Sequence, residues 1–384
     1  MKNICVITGS RAEYGLLSNL MRSIEKSSKL NLQVVVTGMH LSPEFGLTYR
    51  EIEKDGFIID KKIDIKISND SPSEITKSTG VGMIGFADAF AELMPELVIL
   101  LGDRYEIMAA AFSAFVARIP IGHIHGGEST QGAIDEAIRH SITKMSYWHF
   151  VATDEYKNRV IQLGENPSRV YNVGGLGVDS IKKSNLISKK ELTNKMGIKF
   201  DKKNLLITYH PVTLEDGTSQ KNFKSLINTL NELKDTYLIF TLPNSDSDSR
   251  VIKIMIKDFV AKNRDRSISF SSMGNLNYLS LLQFVDGVVG NSSSGLLEAP
   301  TFKIGTINIG DRQTGRIKAD SVIDCKPNQN SVSNAIKKLY SNRFQNKLKT
   351  VDNPYGAGKA TEKIMAILNK AILPNELKKE FYDL

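Results

Sequence analysis

Residues 97–106 read LVILLGDRYE, and residues 119–128 read IPIGHIHGGE. Each is an apolar run of strand length that stops at a glycine and then delivers ionisable side chains. The first delivers Asp103 and Arg104, and the second delivers His123, His125 and Glu128 around the Gly126-Gly127 turn. A helix start follows at residues 134–140, IDEAIRH. Strands this continuously apolar are buried on both faces, as in a parallel sheet covered by helices. In open parallel sheets ligands bind outside the carboxyl ends of the strands, so two such strands in succession build one site.

The same alternation extends in both directions. Further strand-like runs lie at residues 4–8, 32–37, 120–124, 149–152 and 170–173, separated by helical patterns. This is the signature of a doubly wound parallel sheet. Residues 181–203 interrupt it: eight lysines face only Glu191 and Asp201 there, which reads as a solvated helix face and a connector. A second series then begins with NLLITYH at 204–210 and continues through TYLIFTLP, SISFSS, GVVGNSSSG and IGTINIG. The expected organisation is α/β, with two Rossmann-like doubly wound domains and an interdomain cleft. The sequence places the first domain at 1–182, a basic connector at 183–203, the second domain at 204–369 and a C-terminal helix at 370–384, with residues 358–369 and 375–382 in helical patterns.

Length and composition agree with two domains, since 384 residues exceed the roughly 150 of a typical one. With 41% hydrophobic and 24% charged residues the chain reads as globular, and no apolar run approaches the roughly 20 residues of a membrane helix. The first residues, MKNICVITGS, enter a strand at once without a signal-peptide pattern, so a cytoplasmic location is expected. Cys5 and Cys325 are the only cysteines and sit in apolar strand patterns, which supports neither a disulfide framework nor a thiolate metal site. The net charge of +8 is spread over scattered lysines without an aromatic-basic motif, so nucleic acid is not an expected partner.

Two loops have the composition of phosphate cradles. Residues 8–15, TGSRAEYG, follow the first strand and open a helix, where free amides, the helix dipole and Arg11 would favour an anion. An ordinary βα turn with a solvated arginine explains the same residues. Residues 290–298, GNSSSGLLE, repeat the arrangement in the second half: Ser292, Ser293 and Ser294 can cradle a pyrophosphate, and Glu298, about a turn further on, can take two ribose hydroxyls. The alternative there is a serine N-cap and a surface glutamate. Neither loop is a GxGxxG fingerprint or a P-loop, which argues against nicotinamide, flavin and ATP cofactors.

Asp103, Glu128 and Asp135 are candidate acid/base groups by their clustering, although Asp135 could equally cap its helix. His123 and His125 alternate along a strand and point to opposite faces, so one is expected to reach the site and the other to be a core histidine. His210 recurs at a strand end in the second half. No HExxH motif or close histidine pair on one helical face supports a metal, and none is expected.

In this order and spacing, the segments GSRAEYG, VVVTGMH, LGDRYE, HIHGGE, IDEAIRHSITKMS, EYKNRVIQLGE, GNSSSGLLEAP, TINIGDRQTGR and NPYGAGKA resemble the hydrolysing UDP-N-acetylglucosamine 2-epimerases of sialic acid biosynthesis nearly end to end. The resemblance implies a glycosyltransferase-B type fold, with the C-terminal helix crossing back to the first domain. It also implies a homodimer or homotetramer. For the site it implies phosphate contacts from Arg11, His210 and Ser292 to Ser294, a ribose contact from Glu298, Arg312 nearby, and catalytic acids at Asp103 and Asp135. Where many members carry a glutamate in an HxE arrangement, this chain has His125, with Glu128 three residues later, and that role falls to one of the two.

The implied reaction is anti-elimination of UDP to a 2-acetamidoglucal, then hydration to N-acetylmannosamine. Competing expectations are the same reaction on UDP-2,4-diacetamido-2,4,6-trideoxyglucose for legionaminic acid, a retaining glycosyltransferase and a non-catalytic nucleotide-sugar binding protein.

Overall fold

The computed structural model of the protein describes residues 1–67, 71–130, 134–211, 218–243, 249–370, 372–374 and 377–384. The chain divides into two compact units. One comprises Met1–Glu128, Asp135–Lys182 and Tyr355–Leu384, and the other Ser129–Ile134 and Lys183–Pro354.

The first unit is built on seven strands: β1 (Lys2–Thr8), β2 (Leu30–Thr37), β3 (Lys61–Ile63), β4 (Leu97–Leu101), β5 (Ile121–Ile124), β6 (Trp148–Val151) and β7 (Val170–Asn172). Their order is β3-β2-β1-β4-β5-β6-β7, and every pairing is parallel. Parallel neighbours need helical crossovers, and these cover both faces. In β4, Leu97, Ile99 and Leu101 face a core shared with the helices Arg11–Glu25 and Ala360–Lys370, while Val98 and Leu100 face a second core with the helices Pro72–Leu93 and Tyr105–Val116. Burial on both faces explains why LVILL lacks the polar alternation of a half-exposed strand.

The second unit repeats the plan with six strands: β8 (Lys203–Thr208), β9 (Thr236–Thr241), β10 (Ser267–Phe270), β11 (Gly287–Gly290), β12 (Gly305–Ile309) and β13 (Val322–Cys325). The order is β10-β9-β8-β11-β12-β13, again all parallel. Its core joins these strands to the helices Thr218–Asn231, Ser249–Lys262 and Gln329–Leu339 through side chains such as Phe223, Leu226, Ile256 and Leu339.

Three expectations are corrected. Residues 377–384 form no helix or strand; residues 375–376, where that helix was expected to begin, lie outside the described residues. Tertiary anchors displace the helical pattern: the Tyr382 amide donates to the Gly164 carbonyl at 3.0 Å, and Lys379 Nζ donates to the Lys144 and Ser146 carbonyls, both at 2.7 Å. The second unit ends at Pro354, so the helix Ala360–Lys370, which the sequence placed in the second domain up to residue 369, belongs to the first unit and packs on the helix Arg11–Glu25. The expected connector, in turn, falls within the second unit, where Ser188 and Glu191 form a capping box for the helix Lys189–Met196. Among the described residues no helix is long and apolar enough to cross a membrane.

Candidate active site

In each sheet the strand order reverses at one place, between β1 and β4 in the first and between β8 and β11 in the second. Loops leaving two such strands diverge to opposite faces, which opens a crevice at their carboxyl ends. The loops there hold Arg11 and Asp103 in the first unit, and His210 and Ser292 to Ser294 in the second.

In the first unit Asp103 follows Gly102, whose φ of 82° turns the chain sharply at the end of β4. Its carboxylate is held from the buried side by Arg139, which the sequence reading left out of the site. Arg139 Nε donates to Asp103 Oδ2 at 2.9 Å, and Nη2 donates to the same oxygen. Arg139 Nη1 donates to the Glu128 carbonyl at 2.8 Å and to Glu136 Oε2 at 2.9 Å. Burial alone would lower the arginine's pKa, but the charges of Asp103 and Glu128 outweigh it and raise it. The signal in the sequence was spacing: Arg139 lies four residues beyond Asp135 and three beyond Glu136, on one face of the helix Asp135–Met145.

The second strand-end group is His125 with Glu128. His125 leaves β5 in the left-handed region, at φ 66°, which is uncommon for a side chain of that size and aims the imidazole out of the strand's alternation. Its Nδ1 lies 2.9 Å from Glu128 Oε1, while Nε2 is buried and takes no hydrogen bond from a described residue. The turn between them requires glycine at 127: φ is 77° there, and a Cβ would stand 2.4 Å from the Tyr156 carbonyl. His123 points the other way into the core, bonded to the Gly102 carbonyl at 2.8 Å and near Thr143 Oγ1 at 3.2 Å. Burial pushes its pKa down to about 3, so it stays neutral. Asp135 is half-buried at the start of its helix.

In the second unit Asn291 fastens three loops together, a role the sequence did not reveal. Its side chain accepts from the His210 amide at 2.7 Å and donates to the His210 carbonyl at 2.8 Å. The Asn291 carbonyl in turn accepts from Gln313 Nε2 at 2.7 Å and Arg312 Nη1 at 3.3 Å. The structure thereby brings His210, Ser292 and Arg312 to one place. Gly290 makes the approach possible, with φ at 140° and a Cβ position only 1.9 Å from the Thr208 carbonyl. Ser292 Oγ accepts from the Ser294 amide at 3.4 Å, and Ser294 Oγ accepts from Tyr278 Oη at 2.5 Å. Ser293 lies at the N-cap of the one-turn helix Ser294–Leu297, and Glu298, buried, closes it. Arg312 Nε is buried and unbonded among the described residues, a donor available for an anion.

Arginine, histidine, hydroxyls and short helix starts suit a diphosphate, while Asp103, His125 and Glu128 suit proton transfer. Among the described residues no cluster of three His, Cys, Asp or Glu side chains could hold a metal ion.

The family model described as UDP-N-acetylglucosamine 2-epimerase matches residues 22–369. A Campylobacter jejuni protein named GDP/UDP-N,N'-diacetylbacillosamine 2-epimerase (hydrolyzing) is 44% identical over 100% of this chain and 99% of its own. The Escherichia coli polysialic acid biosynthesis protein P7 is 39% identical over 100% of this chain and 98% of its own. Among solved structures, the UDP-GlcNAc 2-epimerase of Neisseria meningitidis bound to UDP-GlcNAc aligns with a TM-score of 0.83 and 20% identity, covering 97% of this chain and 100% of that one, which is a likeness of fold.

Proposed function

We propose that this chain, which belongs to the UDP-N-acetylglucosamine 2-epimerase family, is a hydrolysing 2-epimerase that converts a UDP-2-acetamido sugar to UDP and the free 2-epimer. UDP-N-acetylglucosamine, giving N-acetylmannosamine for sialic acid synthesis, is the first reading. The observation that carries the proposal is Asp103, presented at the sheet's reversal and fixed there by the buried Arg139.

The C2 hydrogen of the sugar lies beside no carbonyl and is barely acidic. A carboxylate can remove it only as the C1–O bond to the diphosphate breaks. Arg11, His210, Arg312 and the Ser292 to Ser294 loop are assigned to the diphosphate, where their stabilisation grows as charge develops on the leaving oxygen. Asp103 then takes the C2 proton, the C1–O electron pair leaves with UDP, and a C1=C2 double bond remains. General base catalysis of this kind supplies roughly 10²- to 10⁴-fold. Hydration reverses the polarity: a water loses a proton to a base as its oxygen adds to C1, and an acid returns a proton to C2 on the face opposite the one it left. The His125–Glu128 pair, with Asp135, is assigned to this step, because an imidazole and a carboxyl side by side can between them accept one proton and donate another.

A second reading, UDP-2,4-diacetamido-2,4,6-trideoxyglucose, is favoured by the name of the 44% identical relative. Phosphorus NMR of the protein with each sugar nucleotide separates them. UDP release from UDP-N-acetylglucosamine supports the first reading, release from the diacetamido sugar alone moves the assignment to the second, and release from neither contradicts the proposal.

A further inference from the structure

Beneath the first βα loop lie two carboxyl groups that the reaction does not use. Glu13 Oε2 accepts from the Gly9 amide at 2.7 Å, and Glu106 is so close on another side that a Cβ on Gly9 would stand 2.5 Å from its Cγ and 2.9 Å from its Oε1. Both residues are buried, Glu13 to 6% exposure and Glu106 to 0%. Each keeps one oxygen, Glu13 Oε1 and Glu106 Oε2, buried without a hydrogen-bond partner among the described residues. Orphaned buried carboxylate oxygens are rare, and two on side chains that both pack on Gly9 call for a shared explanation.

We propose that Glu13 and Glu106 hold one proton between them, Glu13 as the acid and Glu106 as the carboxylate, and that this pair is a positioning device for the Gly9–Arg11 loop. A protonated Glu13 removes one of two like charges packed on Gly9 and gives the pair a hydroxyl donor that two carboxylates lack. Glu106 is the charged member because Arg104 Nε donates to its Oε1 at 2.8 Å, with both side chains largely buried. Two carboxylates this close in a dry site cannot both ionise cheaply.

The groups facing Glu13 agree. Burial acts first and the charge of Glu106 second, with Asp103 adding to them, while the Gly9 amide and Arg104 oppose; the balance pushes Glu13 up to about 8. From the turn after β2, His40 adds no charge near neutral pH, because burial pushes it down to about 4, and it is bonded to Thr8 Oγ1 at 3.0 Å and Thr48 Oγ1 at 2.8 Å. Loss of the shared proton would place a second negative charge under a loop assigned to an anion, so ligand affinity should fall as the pair ionises.

The test is a carboxyl titration by carbon-13 NMR of the full chain carrying [5-¹³C]glutamate, with Glu13→Gln and Glu106→Gln beside the wild type. A resonance that titrates near pH 8, is missing from E13Q and moves well down toward the ordinary range in E106Q is expected. Titration of every glutamate in the ordinary range, or a Glu13 resonance unmoved by E106Q, overturns the proposal. The loop role rests on the UDP-binding reading above and is tested separately with UDP: the wild-type Kd should rise above the transition, by at most about tenfold per pH unit, while E13Q, whose amide imitates the acid, stays flat. An equal rise in both overturns the loop role. Absence of any UDP binding contradicts the function reading and the loop role with it, and leaves the carboxyl titration to decide on the pair alone.

Discussion

Arg139 Nε donates to Asp103 Oδ2 at 2.9 Å, with the arginine side chain 1% exposed and the aspartate 20% exposed. The ion pair is thus anchored from inside the protein, and the carboxylate is presented outward with both guanidinium bonds on one oxygen. Among the described residues both bonds fall on Oδ2, and none is made to Oδ1, the atom that the proposed proton abstraction would use.

Arg139→Met should therefore damage both fold and function. It removes the hydrogen bonds that Asp103 and Glu136, which keep 20% and 26% exposure, accept from the guanidinium, and losing such charge-assisted bonds costs about 1.5–3 kcal/mol. Urea unfolding should show that loss. Arg139→Lys keeps the charge without the planar fork, so it should recover much of the stability while turnover stays at least about 10²-fold down. Equal recovery of stability and turnover would show that charge alone is what Asp103 needs.

His125→Gly tests whether the imidazole or the turn matters. Glycine adopts the φ of 66° freely, relieving about 1–2 kcal/mol of strain, but it costs unfolded-state entropy of similar size. Because the imidazole 2.9 Å from the buried Glu128 Oε1 is lost as well, thermal unfolding should show a loss of about 1–3 kcal/mol, and kcat should drop by roughly 10²- to 10⁴-fold. A variant with unchanged kcat would remove His125 from the proton transfers.

Gly290→Ala should be among the most damaging single-methyl changes in the second unit. The added Cβ meets the Thr208 carbonyl at 1.9 Å at a backbone angle that side chains rarely adopt, so β8 and β11 must part. A loss of about 3 kcal/mol or more in urea unfolding is expected, together with loss of UDP binding by calorimetry.

The C-terminal tail makes stability depend on acid. Glu165 accepts from Lys379 at 2.8 Å, from Lys144 at 2.6 Å and from His149 at 3.0 Å. Burial alone would raise its pKa, but these bonds prevail and push it down to about 2 from an ordinary 4.5. A carboxylate depressed on folding contributes stability that is present above 4.5 and is lost as pH falls through about 2. Lys379→Ala should accordingly cost about 1.5–3 kcal/mol at pH 7, and the difference from wild type should narrow below pH 4.5 in parallel urea titrations. A pH-independent difference would assign Lys379 to packing alone.

Much of this was legible before the fold was known. Strands such as LVILL carry their burial on both faces in their composition, and Asp103, His125 and Glu128 announce themselves by following such strands. The strand Lys61–Ile63 did not, because three residues at a sheet edge, two of them lysines, form no pattern of their own. The tail was misread because a helical rhythm in ELKKEFYDL is weak beside contacts made far away, such as Lys379 with Glu165, 214 residues apart. Asn291 and Arg139 escaped for the same reason. Each acts as a buried hub joining chain segments 81 and 36 residues apart, and only the folded sheet brings their partners within reach.

The most direct test of the central claim is proton NMR of the purified protein with UDP-N-acetylglucosamine, and in a second tube the 2,4-diacetamido analogue, in D2O beside Asp103→Asn. The proposed chemistry predicts UDP and a free 2-epimerised sugar carrying deuterium at C2, with turnover lost in the variant while its thermal unfolding stays cooperative. A free product that keeps protium at C2, or full turnover in Asp103→Asn, would contradict proton abstraction by Asp103.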